Sequence, residues 1–202
     1  MAGIARNTKE DIVNSAFEIV KEKGVEGLNA REVAKRLNCS IQPIFYQFAT
    51  MEELKKAVYE KIYALYKEYM LSGENTENSY RAMGKSYVRF AKDYPVFFKI
   101  LFMQQTEMNK DNYAKIDQLG DKIIETGRNF TGLTFEEQKE FHLKVWIFTH
   151  GIATLIVTGT IKLNDNEIDE LIGSSVRQML IGYKKERGEN KKWKISETYY
   201  GE

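Results

Sequence analysis

Three polar side chains between residues 40 and 46 have the chemistry needed to recognise a nucleic acid. Ser40, Gln42 and Tyr46 lie at or just after the predicted start of one short helix. A glutamine side chain can form two hydrogen bonds to adenine, and serine or tyrosine hydroxyls can reach a phosphate or a base edge. The same residues are also typical of an ordinary solvated helix face, so their role depends on the elements that position them.

The residue types needed for catalysis or metal binding are sparse in this sequence. Two histidines and one cysteine, Cys39, are too few for a transition-metal site or a cysteine-based zinc cage. No nucleophile–base pair and no glycine-rich phosphate loop is visible. The sequence therefore predicts a protein that is not an enzyme and needs no metal or other cofactor. A lone Cys39, expected as a small turn residue, fits a reducing cytosol, and we expect a cytoplasmic protein.

The composition indicates a soluble, mainly helical protein. The 202 residues are 43% hydrophobic and 29% charged, and only two prolines interrupt them. The formal net charge is +1, so bulk charge does not support binding to nucleic acid by phosphate neutralisation. The most apolar segment, residues 145–161, is interrupted by polar residues and glycine and is too short to span a membrane; it is interpreted as a buried helix.

Four helices are predicted in the first third of the chain. Their expected N-caps are Thr8, Asn29, Ser40 and Thr50, and the fourth helix continues without a breaker over residues 51–71. An acidic residue lies three positions after each of these caps except Ser40. At Asn29 and Thr50 this spacing is that of a reciprocal capping box. The second and third helices are separated by a short turn, which is the arrangement of a helix-turn-helix.

The segment LNAREVAKRLNCSIQPIFYQFATMEELKKAV, residues 28–58, resembles the DNA-binding segment of tetracycline-repressor-like (TetR) regulators. The matching positions are Asn29, Val33, Ala34, Ser40, Phe45, Phe48 and residues 50–54. Two positions depart from the family pattern. Phe45 occupies the usual tyrosine position, and the hydroxyl of the adjacent Tyr46 is expected to make the phosphate contact instead. Met51 replaces a usual lysine that contacts phosphate, and Lys55 and Lys56, one turn later, are expected to compensate. Phe45 and Phe48 are expected in the core.

The resemblance implies a set of DNA-contacting residues in and around the third helix. Asn29 and Thr50 are also helix caps, and Arg6, like Lys9, is equally well explained as a solvated charge. The implied contacts are Arg6, Asn29, Ser40, Ile41, Gln42, Pro43, Tyr46, Thr50 and Lys55.

The remainder of the chain is predicted to form a larger helical domain. Helices are expected over residues 80–92, from Pro95, after a cap at Thr134, and from Asp165 or Asn166, while residues 112–129 are less regular. The predicted division is an N-terminal domain over residues 1–53, a second domain over 54–187 and a polar tail over 188–202. Two apolar stripes mark the helix after Thr134, which indicates two packing partners. Their members are Phe141, Val145, Phe148, Ile152 and Leu155 in one, and Trp146, Thr149, His150, Ala153 and Val157 in the other.

The segment Trp146–Gly151 resembles the Trp-x-x-x-His-Gly (WHG) signature of one TetR C-terminal subgroup. His150 lies one turn from Trp146 and can either bind a ligand or satisfy a buried partner, while His142 is expected at the surface. The family implies a small-molecule pocket, although each aromatic residue is also explained by core packing. The candidate lining residues are Phe97, Phe98, Phe102, Met103, Tyr113, Trp146 and His150.

These features together predict an all-α transcriptional regulator with an N-terminal helix-turn-helix and a larger domain for ligand binding and dimerisation. The resemblance implies a repressor that binds a palindromic operator as a homodimer. The two subunits are expected to contact each other through the helices at residues 135–158 and 166–186, whose apolar stripes span residues 141–155 and 168–183. A small-molecule effector of unknown identity is expected to release it. The alternatives are a helical DNA-binding or interaction protein without an effector, and a small helical enzyme.

Overall fold

The protein is helical throughout the part of the chain that the computed structural model describes, residues 7–72, 79–104, 119–121, 124–125 and 131–188, and these ranges contain no strand. The predicted all-α fold is confirmed. The helices are α1 (Lys9–Lys23), α2 (Ala30–Arg36), α3 (Gln42–Gln47), α4 (Met51–Leu71), α5 (Ser79–Asp93), α6 (Pro95–Phe102), α7 (Phe135–Val157) and α8 (Asp165–Gly188). None of the helices in these ranges is long and apolar enough to cross a membrane.

The chain divides into two compact units. The first contains the described residues 7–66 and 96–104, and the second contains the described residues 67–72, 79–95 and those from 119 onwards. Helix α4 therefore passes from the first unit to the second after Tyr66. The predicted domain boundary at residue 53 stays a prediction, and the tail predicted from 188 lies almost wholly outside the described residues.

Side-chain caps begin several helices as the sequence predicts. Thr8 forms a reciprocal capping box with Asp11, and Thr134 forms another with Glu137. Thr50 Oγ1 accepts a hydrogen bond from the Glu53 backbone N–H at 3.2 Å, but the Glu53 carboxylate accepts from the backbone N–H of Ala49 at 2.8 Å, so the reciprocal box predicted at Thr50 is not formed. Each of these contacts satisfies an N–H group that has no partner within its helix, and so fixes where the helix begins.

Two further predicted caps differ from the structure. Asn29 accepts from the backbone N–H of Glu32, but the Glu32 carboxylate accepts from Lys23 Nζ at 2.5 Å instead of closing a reciprocal box. The prediction that Ser40 caps the third helix is wrong, because α3 begins at Gln42 with Ile41 in the cap position and no side-chain cap. Pro43 does lie in the first turn of α3, where a missing N–H is tolerated.

The core of the first unit is apolar and joins α6 to the N-terminal helices. Ile12, Val33, Ile44 and Leu54, one from each of α1 to α4, are fully buried. From α6, Phe97 is also fully buried, and its ring centroid lies 4.7 Å from that of Phe17 on α1. This packing fixes the relative positions of α1, α2 and α3.

The core of the second unit lies between α5, α7 and α8. Helix α5 approaches α8 so closely at Gly84 that an added Cβ would lie 3.0 Å from Ile172 Cγ2. At the edge of the same contact, the Arg81 guanidinium donates two hydrogen bonds to the Asp169 carboxylate at 2.6 and 2.7 Å. Among the described residues of this core, the fully buried aromatic side chains are Tyr87, Phe90 and Phe141, and Tyr183 on α8 is also buried.

The stripe of α7 that was predicted to face a second subunit is mostly internal. Phe141, Val145 and Ile152 are buried within the chain, and so are Ile168 and Ile172 of the matching α8 stripe. The amphipathic pattern cannot tell an internal partner from a second copy, because both bury an apolar stripe. The large apolar side chains exposed on these two helices are Ile147, Leu155, Leu171 and Ile181.

Candidate nucleic-acid interface

Helices α2 and α3 form a compact pair joined by a tight turn, and α1 packs against both. Asn38 has a φ of 51°, the left-handed conformation that asparagine tolerates better than most residues. The backbone N–H of Cys39 then donates to the Ala34 carbonyl at 2.9 Å, which closes the end of α2. Cys39 thus lies in the turn, as predicted. The geometry is that of a helix-turn-helix, with α3 as its second helix.

Helix α3 has one buried and one exposed face. Ile44 and Phe48, the residue that directly follows α3, are buried, whereas Tyr46 is 79% exposed. The prediction that Phe45 belongs to the core is wrong, since 44% of its surface is exposed, and Ile41 is 47% exposed. The prediction assumed that apolar residues of an amphipathic helix face the core, and Phe45 is an exception. Gln42 and Ser40 are exposed as well.

The other predicted contact residues are occupied by local interactions. Asn29 and Thr50 are exposed and act as helix caps. Lys55 Nζ donates to the Glu52 carboxylate at 2.7 Å, and Pro43 is half-buried. Arg6 lies outside the described residues. A DNA-contacting role for each of these residues stays a prediction.

Ion pairs occupy several of the cations of the first unit. Arg36 donates two hydrogen bonds to Glu22, at 2.8 and 3.0 Å, and these bonds hold the pKa of the Glu22 carboxyl below its usual value. Lys23 pairs with Glu32, and Lys9 Nζ lies 5.1 Å from the centre of the Phe48 ring. Electrostatic attraction to phosphates is correspondingly reduced. Three further cations of α2 and of the part of α4 in the first unit are exposed: Arg31, Lys35 and Lys56.

The residues predicted to line a ligand pocket fall in both units. Phe97 and Phe98 are fully buried in the first unit, where the ring of Phe98 lies 5.2 Å from that of Phe102. Met103 is 41% exposed. Tyr113 lies outside the described residues. That some of these residues together line a ligand pocket stays a prediction, although Phe97 and Phe98 pack as ordinary core residues of their unit.

In the second unit, Trp146 and His150 lie near a residue that no sequence motif marks. Tyr87 on α5 is hydrogen-bonded through its hydroxyl to His150 Nδ1 at 2.9 Å, and the ring centroids of Trp146 and His150 lie 5.7 Å apart. Burial lowers the pKa of His150, which favours the neutral imidazole. His150 thus has a buried partner, which was one of its two interpretations. Nothing in the spacing of α5 distinguishes Tyr87 from other core aromatics.

His142, expected at the surface, is instead partly enclosed. Its Nδ1 atom is buried, and burial lowers the pKa of the side chain to about 4, an effect that the nearby Asp121 partly opposes. Among the described residues, no group of three His, Cys, Asp or Glu side chains is placed to hold a metal ion.

Two family models match the chain over most of its length. The model of bacterial regulatory proteins of the tetR family matches residues 12–58, and the model of the tetracyclin repressor-like C-terminal domain matches residues 80–179. The chain therefore belongs to the tetR family, as the sequence resemblance predicted, and is a transcriptional regulator. Its assignment to the Trp-x-x-x-His-Gly subgroup stays a prediction. No curated protein matches the chain.

Solved structures share the fold at low sequence identity. A protein of unknown function from Rhodococcus sp. RHA1 is 16% identical with a TM-score of 0.72, and the alignment covers 90% of this chain and 98% of that one. A TetR-like transcriptional regulator from the same organism is 13% identical with a TM-score of 0.65, covering 89% and 99%. A TetR variant from Acinetobacter baumannii in complex with minocycline is 19% identical with a TM-score of 0.52, covering 89% and 98%.

Proposed function

We propose that this regulator is a repressor that binds a palindromic operator as a homodimer and is released by a small-molecule effector. The observation that carries the proposal is the exposed face of α3. Gln42 and Tyr46 lie on it one helical turn apart, on the second helix of a helix-turn-helix within the segment matched by the tetR-family model. In this geometry the second helix enters the major groove, where base edges are read.

Exposed apolar residues on α7 and α8 support dimerisation. Ile147 and Leu155 on α7 and Leu171 and Ile181 on α8 are each more than a third exposed. Large exposed apolar side chains that are contiguous are typical of surfaces that bind another protein, and we infer that these four residues belong to such a surface. An isologous dimer through these helices would place two copies of α3 on half-sites about 34–36 Å apart.

Release by an effector requires that the effector bind one conformation of the protein more tightly than another. Helix α4 is the proposed moving element, because its part up to Tyr66 belongs to the same unit as the helix-turn-helix and contacts α1. Lys61 on α4 donates a hydrogen bond to Asn14 and lies 5.3 Å from the centre of the Phe17 ring. A shift of α4 would therefore displace α1 and, through it, α3. The minocycline complex of the structural relative supports a ligand site in this fold.

A mobility-shift assay with the protein's own promoter region tests operator binding. We expect Gln42→Ala and Tyr46→Ala each to weaken specific binding about tenfold or more, because each removes contacts to DNA while leaving the buried face of α3 intact. Tyr46→Phe is the matched control that separates the hydroxyl from the ring. If the wild-type protein binds no DNA specifically, the repressor proposal fails. If it binds DNA with an affinity that no pocket ligand changes, the protein is a DNA-binding regulator without effector release.

We expect operator affinity to depend only moderately on salt. Each phosphate neutralised by a cation contributes roughly −0.9 to the slope of log K against log salt concentration. With one phosphate neutralised by each of Arg31, Lys35 and Lys56, the slope is about −3 per protomer or −5 to −6 per dimer. Fluorescence anisotropy at several salt concentrations measures it. In Glu22→Gln, Arg36 loses its ion pair and the slope should steepen; a wild-type slope near −10 would contradict the expectation.

A further inference from the structure

The turn and the second helix of the helix-turn-helix carry no charged side chain. No Asp, Glu, Lys, Arg or His occurs between Arg36 and Glu52, an interval that contains the turn and all of α3. Lysine and arginine, which commonly recognise guanine through its O6 and N7 acceptors, are thus absent from the helix that would enter the groove. Base recognition by α3 must use other chemistry.

Two ridges run side by side along the exposed face of α3. Ile41 and Phe45 are four residues apart and form an apolar ridge, with 47% and 44% of their surfaces exposed. Gln42 and Tyr46, also four residues apart, form a neighbouring ridge that can hydrogen-bond. The apolar ridge is too small to anchor a stable protein–protein interface, which buries about 800 Å² on each partner. Its size and its polar neighbour suit the edge of a base pair.

We propose that Ile41 and Phe45 read the 5-methyl groups of thymine in the major groove, with Gln42 hydrogen-bonded to adenine N6 and N7 in the same or a neighbouring A·T pair. Thymine is the only standard DNA base with a methyl group in this groove, and apolar side chains recognise it by contact. The inference rests on the proposed operator binding. It assigns A·T pairs to the positions of each half-site that lie under α3.

The test begins with a selection of operator duplexes from a random library by the full-length protein. In the selected half-site, each thymine is then replaced by deoxyuridine, which removes the methyl group and leaves the base pairing and hydrogen-bonding groups unchanged. We expect a loss of about fourfold in affinity at one or two positions, the effect of exposing one methyl-sized apolar group. Deoxyuridine placed outside the half-sites is the matched control and should have no effect.

Phe45→Ala identifies the side chain that reads the methyl group. Because Phe45 is exposed, the variant is expected to fold, and its helical circular dichroism should equal that of the wild type. It should bind the thymine operator more weakly and no longer distinguish thymine from deoxyuridine at one position. Ile41→Ala should remove the sensitivity at a neighbouring position.

Three results would overturn the inference. Specific operator binding without any sensitivity to deoxyuridine would exclude methyl recognition while leaving the repressor proposal intact. A change of oligomeric mass in Phe45→Ala, with unchanged discrimination of deoxyuridine, would assign the apolar ridge to contacts between copies of this chain. Failure to select any operator would remove the proposed function and this inference together.

Discussion

Replacing Phe97 by alanine is expected to lower the free energy of unfolding by about 3–5 kcal/mol, the range typical of a large aromatic side chain deleted from a packed core. Phe97 is fully buried and contacts the ring of Phe17, so the deletion removes packing that joins α6 to α1. Urea denaturation at a fixed protein concentration measures the effect, since the proposed dimerisation would make apparent stability depend on concentration.

The control for this prediction is Met103→Ala, one residue beyond the end of α6. Met103 is 41% exposed, and its truncation should cost less than about 1 kcal/mol. If Phe97→Ala does not yield folded protein, Phe97→Leu serves instead, with an intermediate loss expected. A loss below about 1 kcal/mol in Phe97→Ala would contradict the core assignment and favour the alternative, in which Phe97 lines a ligand cavity.

The stability of the protein is expected to fall by about 3 kcal/mol as the pH is lowered from 7 to 4, because of His142. The folded protein holds the pKa of this side chain at about 4, whereas an unfolded chain gives a histidine its ordinary value near 6.5. Below pH 6.5 the unfolded state therefore binds a proton that the folded state does not. The stabilisation is complete above about pH 6.5 and is lost as the pH falls towards 4.

Urea denaturation at pH 7, 6 and 5 isolates this effect. About 2 kcal/mol of the loss should have occurred by pH 5, before paired carboxylates such as Asp169, whose pKa the Arg81 hydrogen bonds lower, begin to be protonated. His142→Gln should flatten most of the dependence. His150→Gln should leave most of it in place, although burial lowers the pKa of His150 as well. An unchanged pH dependence in His142→Gln would show that other groups cause the loss.

The elements of the fold were predictable because their signals are local. Thr8, Thr50 and Thr134 are each followed three residues later by an acidic residue, and each begins a helix in the structure. Capping contacts lie within one turn of the chain, so the spacing alone specifies them. The helix-turn-helix motif was readable for the same reason, and the tetR-family model matches residues 12–58, which contain it.

The site was less predictable because its residues break local rules or depend on distant ones. Phe45 was assigned to the core by its hydrophobicity, yet it is exposed, as a residue that contacts a partner would be. His142 was assigned to the surface, yet its environment includes residues 120 and 121, which are distant in the sequence. Tyr87 gave no signal, because its hydrogen bond to His150 joins residues on α5 and α7.

The ion pairs of Arg36 with Glu22 and of Lys23 with Glu32 have a consequence for how such a regulator searches a genome. Every DNA sequence attracts a basic protein through its phosphates, and the non-target sites outnumber the operator by a millionfold or more. A DNA-binding unit in which some of the cations are held in ion pairs within the chain is sequestered less by those sites than one in which all cations face the DNA. It also gains little electrostatic acceleration of its approach. Such a protein would find its operator slowly but would be diluted little by the rest of the chromosome, so few copies would keep the operator occupied.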